Sequence, residues 1–575
     1  MSARARLLLS LVIVAGLYGF HVHLKTSKIF ANTTWSATDE VGQFWSEFAF
    51  HYRFAKFFAE HPVSDWGQLA RDRSVQFPDE INDWAEFTVA MEVPVGVLYR
   101  WWQPAMPLHV FVVWYDCVVS SLTLFGVFFL ARALWRSDVA GVFASALYAS
   151  LYPSYGRTVK NLFLREDFAI PLIVFALFFT VRALQETKMR DQILASLLWL
   201  AALASWHLTQ FVMAPFVVAA VIVYLTKGET PRLPWLVLVM AAGSVLIPVL
   251  RAKQFYLSPT MCVLYALALS AWINGGRKKA AIVFAGWLVG FLALGWLLQK
   301  SYGEYAHVYQ LFFYKLRYLG VKPADPAALP WEARLLWEGA FNTATWREWW
   351  RSLMWCLPLA MMAGWKVGRM EVGKNVFVVF AILLVPLAWM VVRYFTFLGF
   401  AAAVLAAGTR RWLIVPALVW QFAALNSQPL DRGSSEPASY RPVVEWIRDN
   451  TPTNSVLLAH ISESPVLLAH TGRPIIMHSK FENARIRERY REMLDAIYGN
   501  EEQFFEFATK HGADYFVYDA GYLYAAPESR RYKAGKMGEL DANCAAALLA
   551  ARPEKLRHFE PEFVEGRFAV FRVRR

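Results

Sequence analysis

The stretch Phe44–Phe58, FWSEFAFHYRFAKFF, sets one acid, Glu47, and a histidine four residues later, His51, among aromatic side chains. A four-residue spacing places both on one face of a helix. A carboxylate in so apolar a setting is expected to have its pKa raised toward the range in which it exchanges protons. A second stretch, GRTVKNLFLREDFAIP, carries Arg157, Lys160 and Arg165 together with Glu166 and Asp167, while Arg251, Lys253 and Arg393 stand at the ends of apolar runs. Arginine suits phosphate because its planar fork donates two hydrogen bonds to it. An acid that accepts a proton, with cations that hold a departing phosphate, supplies the parts of a group transfer from a phosphate ester.

The elements that must position these residues are membrane spans. The chain of 575 residues is 57% hydrophobic and 16% aromatic, with only 18% charged residues and a mean hydropathy of +0.32. Soluble domains average about a quarter charged. Runs such as AAIVFAGWLVGFLALGWLL are long enough to cross the hydrocarbon as helices. About thirteen such spans are expected on a hydropathy window. The basic N-terminus followed by an apolar core reads as a retained first span with its start inside, since HVHLK follows in place of a small-residue cleavage site.

Charge sets the expected orientation. With the N-terminus inside, the inner loops RALWRSD, QETKMRD, TKGETPRLP, NGGRKKA, WKVGRMEVGK and GTRRW all carry Lys or Arg. The net charge of +13 is then that of a polytopic membrane protein. No basic soluble module is visible, so a nucleic-acid partner is not expected. An odd number of spans places the insertions 31–107 and 299–352, and a tail from about 429, on the outer side. The expected domains are therefore residues 1–428, spanning the membrane, and 429–575, a small α/β domain. In the tail, SYRPVVEWIRDN and ARIRERYREMLDAIYG read as helices, and SVLLAHI, RPIIMH, DYFVYD and RFAVFRV as strands.

On this topology the cations of GRTVKNLFLRED, Arg251, Lys253 and Arg393 lie on the wrong side for the charge rule. The bland explanation is that they snorkel to outer headgroups, with Glu47 an exposed acid on an amphipathic helix along the membrane surface. Several at one face favour an anionic ligand, and at headgroup level that is a lipid phosphate. Ionisable groups at membrane depth are costly and mark binding paths or paired sites. Further acids crowd the same insertion: Asp39, Glu40, Asp79, Glu80, Asp83, Glu86 and Glu92. The four cysteines, Cys117, Cys262, Cys356 and Cys544, have no paired spacing that suggests a disulfide framework or a zinc site.

Several motifs resemble the C-class polytopic membrane glycosyltransferases, and most closely the protein C-mannosyltransferases, which attach mannose to tryptophan carbon. SEFAFHYRF is similar to that family's first-loop motif, GRTVKNLFLREDFAIP to its arginine and Leu-Arg-Glu segment, and SWHLTQFV to its tryptophan-and-glutamine stretch. EYAHVYQLFFYKLRY resembles an outer-loop motif. In the tail, NTPTNSVLLAH, TGRPIIMHSKFENARIRERY and YFVYD follow the family in order and spacing. The resemblance runs from about residue 40 to the end. Oligosaccharyltransferase catalytic subunits fit in part, through Glu47 with Arg53 six residues on and Arg393. Their Trp-Trp-Asp stretch is missing from this tail, and the first loop has no Asp-x-Asp-type metal signal.

The resemblance implies a sugar donor on a polyprenyl or dolichyl phosphate carrier, an acceptor polypeptide, and a multi-pass protein of a prokaryotic inner membrane or the endoplasmic reticulum. It makes Glu47 the catalytic acid; no metal and no other cofactor is expected, since no metal-ligand pair is evident in the sequence. Arg157, Lys160, Arg165 and Arg393 are the candidates for the donor phosphate. Glu166, His51, His207, Gln210, His307, Lys315 and His478 are the supporting residues, and Glu482 and Arg487 belong to the tail motif, where with His478 they could serve only to hold the tail on the membrane domain. Two other readings stay open: the same donor with another acceptor, either a protein Asn, Ser or Thr or a glycolipid, and a transporter, which should show repeat symmetry and charges near the bilayer midplane.

Overall fold

The computed structural model describes residues 2–227, 233–271, 277–298, 305–364, 371–425, 437–525 and 528–575. The expected domain boundary at 428–429, and inner-loop residues at 228–232, 272–276 and 365–370, lie outside these. The chain is mostly helical. Among the described residues six helices are long and apolar enough to cross a membrane: Ala3–Phe30, Leu108–Trp135, Arg165–Glu186, Thr209–Lys227, Lys278–Leu298 and Val372–Met390. Four shorter apolar helices, such as Val392–Ala406 and Arg411–Ala424, accompany them. The stretch 138–161 divides into Asp138–Ser150 and Tyr152–Asn161, with Leu151 extended between them. Pro153 stands in the first turn of the second piece, where its missing N–H costs no hydrogen bond.

The helix of the first insertion is buried within the protein. It runs Glu47–Glu60, and Phe50, Phe54 and Phe58 on one face are all buried, as are Phe48, Tyr52 and Ala55 on the others. Each fully buried Phe contributes about 1.5–3 kcal/mol, so this helix is core. Its burial comes from both sides of the chain: one apolar cluster joins Phe50, Phe54 and Val112 to Tyr440, Val466 and Val570.

The tail contains a four-stranded sheet in the order β1-β2-β4-β3, with β1 Leu457–Ala459, β2 Tyr515–Asp519, β3 Phe559–Glu565 and β4 Phe568–Val573. β1 and β2 are parallel, and the remaining pairs are antiparallel. Gly566, at φ +58, turns β3 into β4. Two expectations change here. RPIIMH is reduced to one parallel bridge from Ile475 to Leu457 of β1, with Leu457 N–H donating to Pro474 O at 2.8 Å and Ile476 N–H to Leu457 O at 3.3 Å, while Ile475 gives its own N–H to Ser74 O at 2.8 Å and accepts from Phe77 N–H at 2.9 Å. β3 escapes a reading by pattern because FEPEFVE, an edge strand, carries acids and a proline.

The insertion and the tail are further stitched by polar contacts. Arg489 reaches Asp79 at 2.7 Å and the carbonyls of Gln76 and Phe77. Asn483 donates to Gln76 at 3.1 Å and to Glu86 at 2.9 Å. Arg441 pairs with Asp39 at 2.6 Å.

Candidate active site

Glu47 opens its helix, where the positive end of the helix dipole favours a carboxylate. The residue before it, Ser46, is held at φ 52. Leu162 and Phe163, which turn the chain between Arg157 and Arg165, have φ of 53 and 49. Left-handed backbone at non-glycine residues costs of order 1–3 kcal/mol each and gathers at functional sites.

A line of buried polar groups runs from this point. The Lys480 ammonium donates to Glu47 Oε2 at 3.1 Å and to His51 Nε2 at 3.0 Å. His51 therefore carries its proton on Nδ1, which donates to Glu92 Oε1 at 2.7 Å. Glu92 also receives Arg165, from Nε at 2.9 Å and from Nη2 at 2.8 Å. Burial, and then the charge of Arg165 and Lys480, push the His51 pKa well down, so the ring is neutral.

The second group centres on Glu166, which is buried. Arg157 bonds to one of its oxygens, and Arg393 Nε donates to the other at 2.9 Å. The Arg393 guanidinium lies 5.0 Å from the Trp206 ring and 5.7 Å from the Phe341 ring, a cation–π setting that fixes its plane. Two guanidiniums on one carboxylate leave an excess positive charge at this point.

Both groups reach one cleft of about 110 Å³, whose wall includes Glu47, Trp206, His207, His307, Arg393 and Glu482. The Glu47 side chain keeps 31% of its surface exposed there. The expected upward pull of burial on its pKa is present, but the charges of Lys480 and Arg393 outweigh it and hold the carboxyl below its ordinary value. Glu47 is thus a carboxylate ready to accept a proton, and not the raised acid that its aromatic neighbours alone suggest.

The remaining candidates sort by position. His207 and His307 stand in the cleft wall, and His207 Nδ1 meets the Tyr305 hydroxyl at 3.1 Å. Gln210 lines a smaller adjoining cavity of about 40 Å³ that shares His207 and Tyr305 with the cleft. Lys160, half-buried on the last turn of Tyr152–Asn161, is not part of the cleft wall. Lys315 turns away to the backbone, donating to Phe341 O at 2.6 Å and to Met390 O, and so braces the segment that carries Arg393. His478 packs against the rings of Phe50 and Phe87, 5.1 and 5.3 Å between centroids. Lys480 is the residue sequence reasoning missed. Its only signal was its place inside HSKFEN. Among the described residues no group of three or more His, Cys, Asp or Glu side chains is placed to hold a metal ion.

In overall form the chain is similar to the oligosaccharyltransferase of Archaeoglobus fulgidus. It matches the archaeal AglB enzyme in complex with an inhibitory peptide and a dolichol-phosphate at a TM-score of 0.65 and 13% identity, covering 96% of this chain and 79% of that one. The same enzyme tethered to an acceptor peptide containing the NVT sequon gives 0.64 at 12% identity, with the same coverage. No curated protein matches by sequence. A family described as Dpy19, Q-cell neuroblast polarisation, matches residues 13–318, more than half of the chain and the part that carries Glu47, Arg157, Arg165 and Glu166. The chain therefore belongs to the Dpy19 family, the protein C-mannosyltransferases, and is a membrane glycosyltransferase.

Proposed function

We propose that the protein transfers mannose from a polyprenyl or dolichyl phosphate carrier to a tryptophan carbon of an acceptor polypeptide. The observation that carries this reading is the meeting, in one cleft, of an ionised Glu47 with the cation Arg393, itself coupled through Glu166 to Arg157. Arg393, with Arg157 beside it, receives the donor phosphate. An indole ring carbon bonds to the anomeric carbon, and the bond from that carbon to the phosphate oxygen breaks, its electron pair leaving with the lipid phosphate. Glu47 then takes the ring proton, which restores aromaticity. Arg165 acts at one remove, orienting Glu92 and through it the neutral His51 that meets Lys480. Catalysis uses no metal on this reading, because the guanidiniums carry the phosphate charge.

The topology that goes with it has about thirteen crossings with the N-terminus inside, and a C-terminal α/β domain over 429–575. That domain and the insertions 31–107 and 299–352 lie on the extracytoplasmic or lumenal side. The decisive experiment supplies purified protein with polyprenyl-phosphate mannose and a tryptophan peptide. Release of polyprenyl phosphate together with a hexose mapped to tryptophan by fragmentation is the expected result. A hexose on Asn, Ser or Thr, or on a glycolipid, would replace tryptophan as the acceptor.

A further inference from the structure

The cleft wall holds a second carboxylate, that of Glu482, which the mechanism above does not use. Glu47 is engaged by Lys480 at 3.1 Å. No side chain among the described residues hydrogen-bonds to or ion-pairs with the carboxylate of Glu482. Burial works to raise it, but the charge of Lys480, followed by that of His207, brings its pKa down to about 2. It is an anion in the cleft wall.

Its backbone is held firmly. Arg487 Nη1 donates to Phe481 O at 2.5 Å and to Glu482 O at 3.3 Å. The next residue, Asn483, caps the helix Ala484–Ile497 by accepting from the N–H groups of Arg485 and Ile486, and its amide donates across to Gln76 and Glu86. The same cleft wall carries five aromatic rings, Trp206, Phe211, Tyr305, Phe341 and Phe481, with His207, His307 and Ser479 between them. A wall rich in aromatic rings suits a planar aromatic side chain, and a carboxylate held in that wall suits a hydrogen-bond donor on its ring. Arg393 already supplies the cation in the cleft.

We propose that Glu482 is the acceptor-recognition residue of this site, accepting a hydrogen bond from the indole N–H and so selecting tryptophan over aromatic side chains that lack that donor. The inference rests on the tryptophan reading of the function. The same bond pushes electron density into the ring while its carbon attacks, and the proton stays on nitrogen. A buried acceptor left without its donor penalises the wrong ring more than a shape mismatch of similar size does.

The test compares two peptides that differ in one atom of the acceptor ring: tryptophan, and 3-benzothienylalanine, in which sulfur replaces the N–H at nearly the same bulk. Wild type, Glu482→Gln and Glu482→Ala are assayed as full-length protein with polyprenyl-phosphate mannose. The preference of wild type for tryptophan in kcat/KM is expected to fall by about 10- to 100-fold in Glu482→Ala, the range for one hydrogen bond to a charged group. It should fall partly in Glu482→Gln, and the donor KM should hold in both. Any intrinsic difference between the rings cancels in this ratio of ratios. An unchanged preference in both variants, with both peptides slowed alike, overturns the role of Glu482 and leaves tryptophan transfer standing. A wild type that consumes donor yet modifies no tryptophan overturns the functional reading, and the inference with it.

Discussion

Replacing Glu166 by glutamine keeps the shape of the side chain and removes the one charge that Arg157 and Arg393 share. Breaking a buried ion pair by removing one partner costs about 3–5 kcal/mol, because the other charge stays buried and uncompensated. Glu166 is 1% exposed, but Arg157 and Arg393 keep 23% and 12% of their side-chain surface. Water reaches both guanidiniums, which puts the cost near the lower end, about 3 kcal/mol. At roughly 1–2 °C per kcal/mol in a chain of this size, the melting temperature should fall by about 3–6 °C. The donor phosphate then gains a second role. In wild type, lipid phosphate at a hundred times its Kd stabilises by about 2.7 kcal/mol. In Glu166→Gln it also supplies the missing negative charge, so its stabilising effect should exceed that in wild type at equal concentration. Thermal unfolding of both proteins in detergent, with and without polyprenyl phosphate, reads this directly. Equal melting temperatures without ligand, or equal ligand-induced shifts, would refute the claim that these arginines form the phosphate site.

Glu47→Gln should lower turnover by about 10² to 10⁴, the usual cost of one positioned base, with donor affinity intact; a variant at wild-type rate would reduce Glu47 to a solvated acid. Lys480→Met should move the acid limb of kcat/KM to higher pH. Glu47 is held below its ordinary value of 4.5 mainly by Lys480, so the wild-type base stays ionised as pH falls past 4.5, whereas the variant loses its base sooner. Superimposable pH profiles between pH 4 and 8 would exclude that control. Turnover should survive excess chelator, and a loss restored by manganese or magnesium would assign the phosphate charge to a metal in place of the arginines. A reporter fused after Arg575 should read extracytoplasmic, and a cytoplasmic signal would invert the whole arrangement.

What could be read in advance was local. Glu47 and His51 share a helix face by spacing alone, and Arg157 and Glu166 sit only nine residues apart. The direction of the Glu47 pKa was read the wrong way, because phenylalanines are its neighbours in sequence while the cations that decide it arrive from elsewhere. Lys480 is 433 residues away and Arg393 comes from the far end of the membrane part. Lysines were the hardest to assign. Lys315 and Lys160 carry the same charge in the sequence as a phosphate ligand would, yet one satisfies backbone carbonyls and the other stands off the cleft. Pattern also overreached at RPIIMH, a β-rich run that makes a single bridge to Leu457 of β1 and whose other edge is taken by Ser74 and Phe77 of the first insertion.

The separation between Glu47 and Lys480 in the sequence also sets when the cleft is completed. The ribosome makes the first insertion early, and the arginine segment at 157–165 soon after. The ammonium that pairs with Glu47 arrives only with the tail, and the sheet of the tail closes when residues 568–572 of β4 pair with 515–519 of β2. A nascent chain already in the membrane thus has Glu47 without its salt bridge and without the side of the cleft that Ser479, Phe481 and Glu482 supply. The cleft is closed only in the last stage of synthesis.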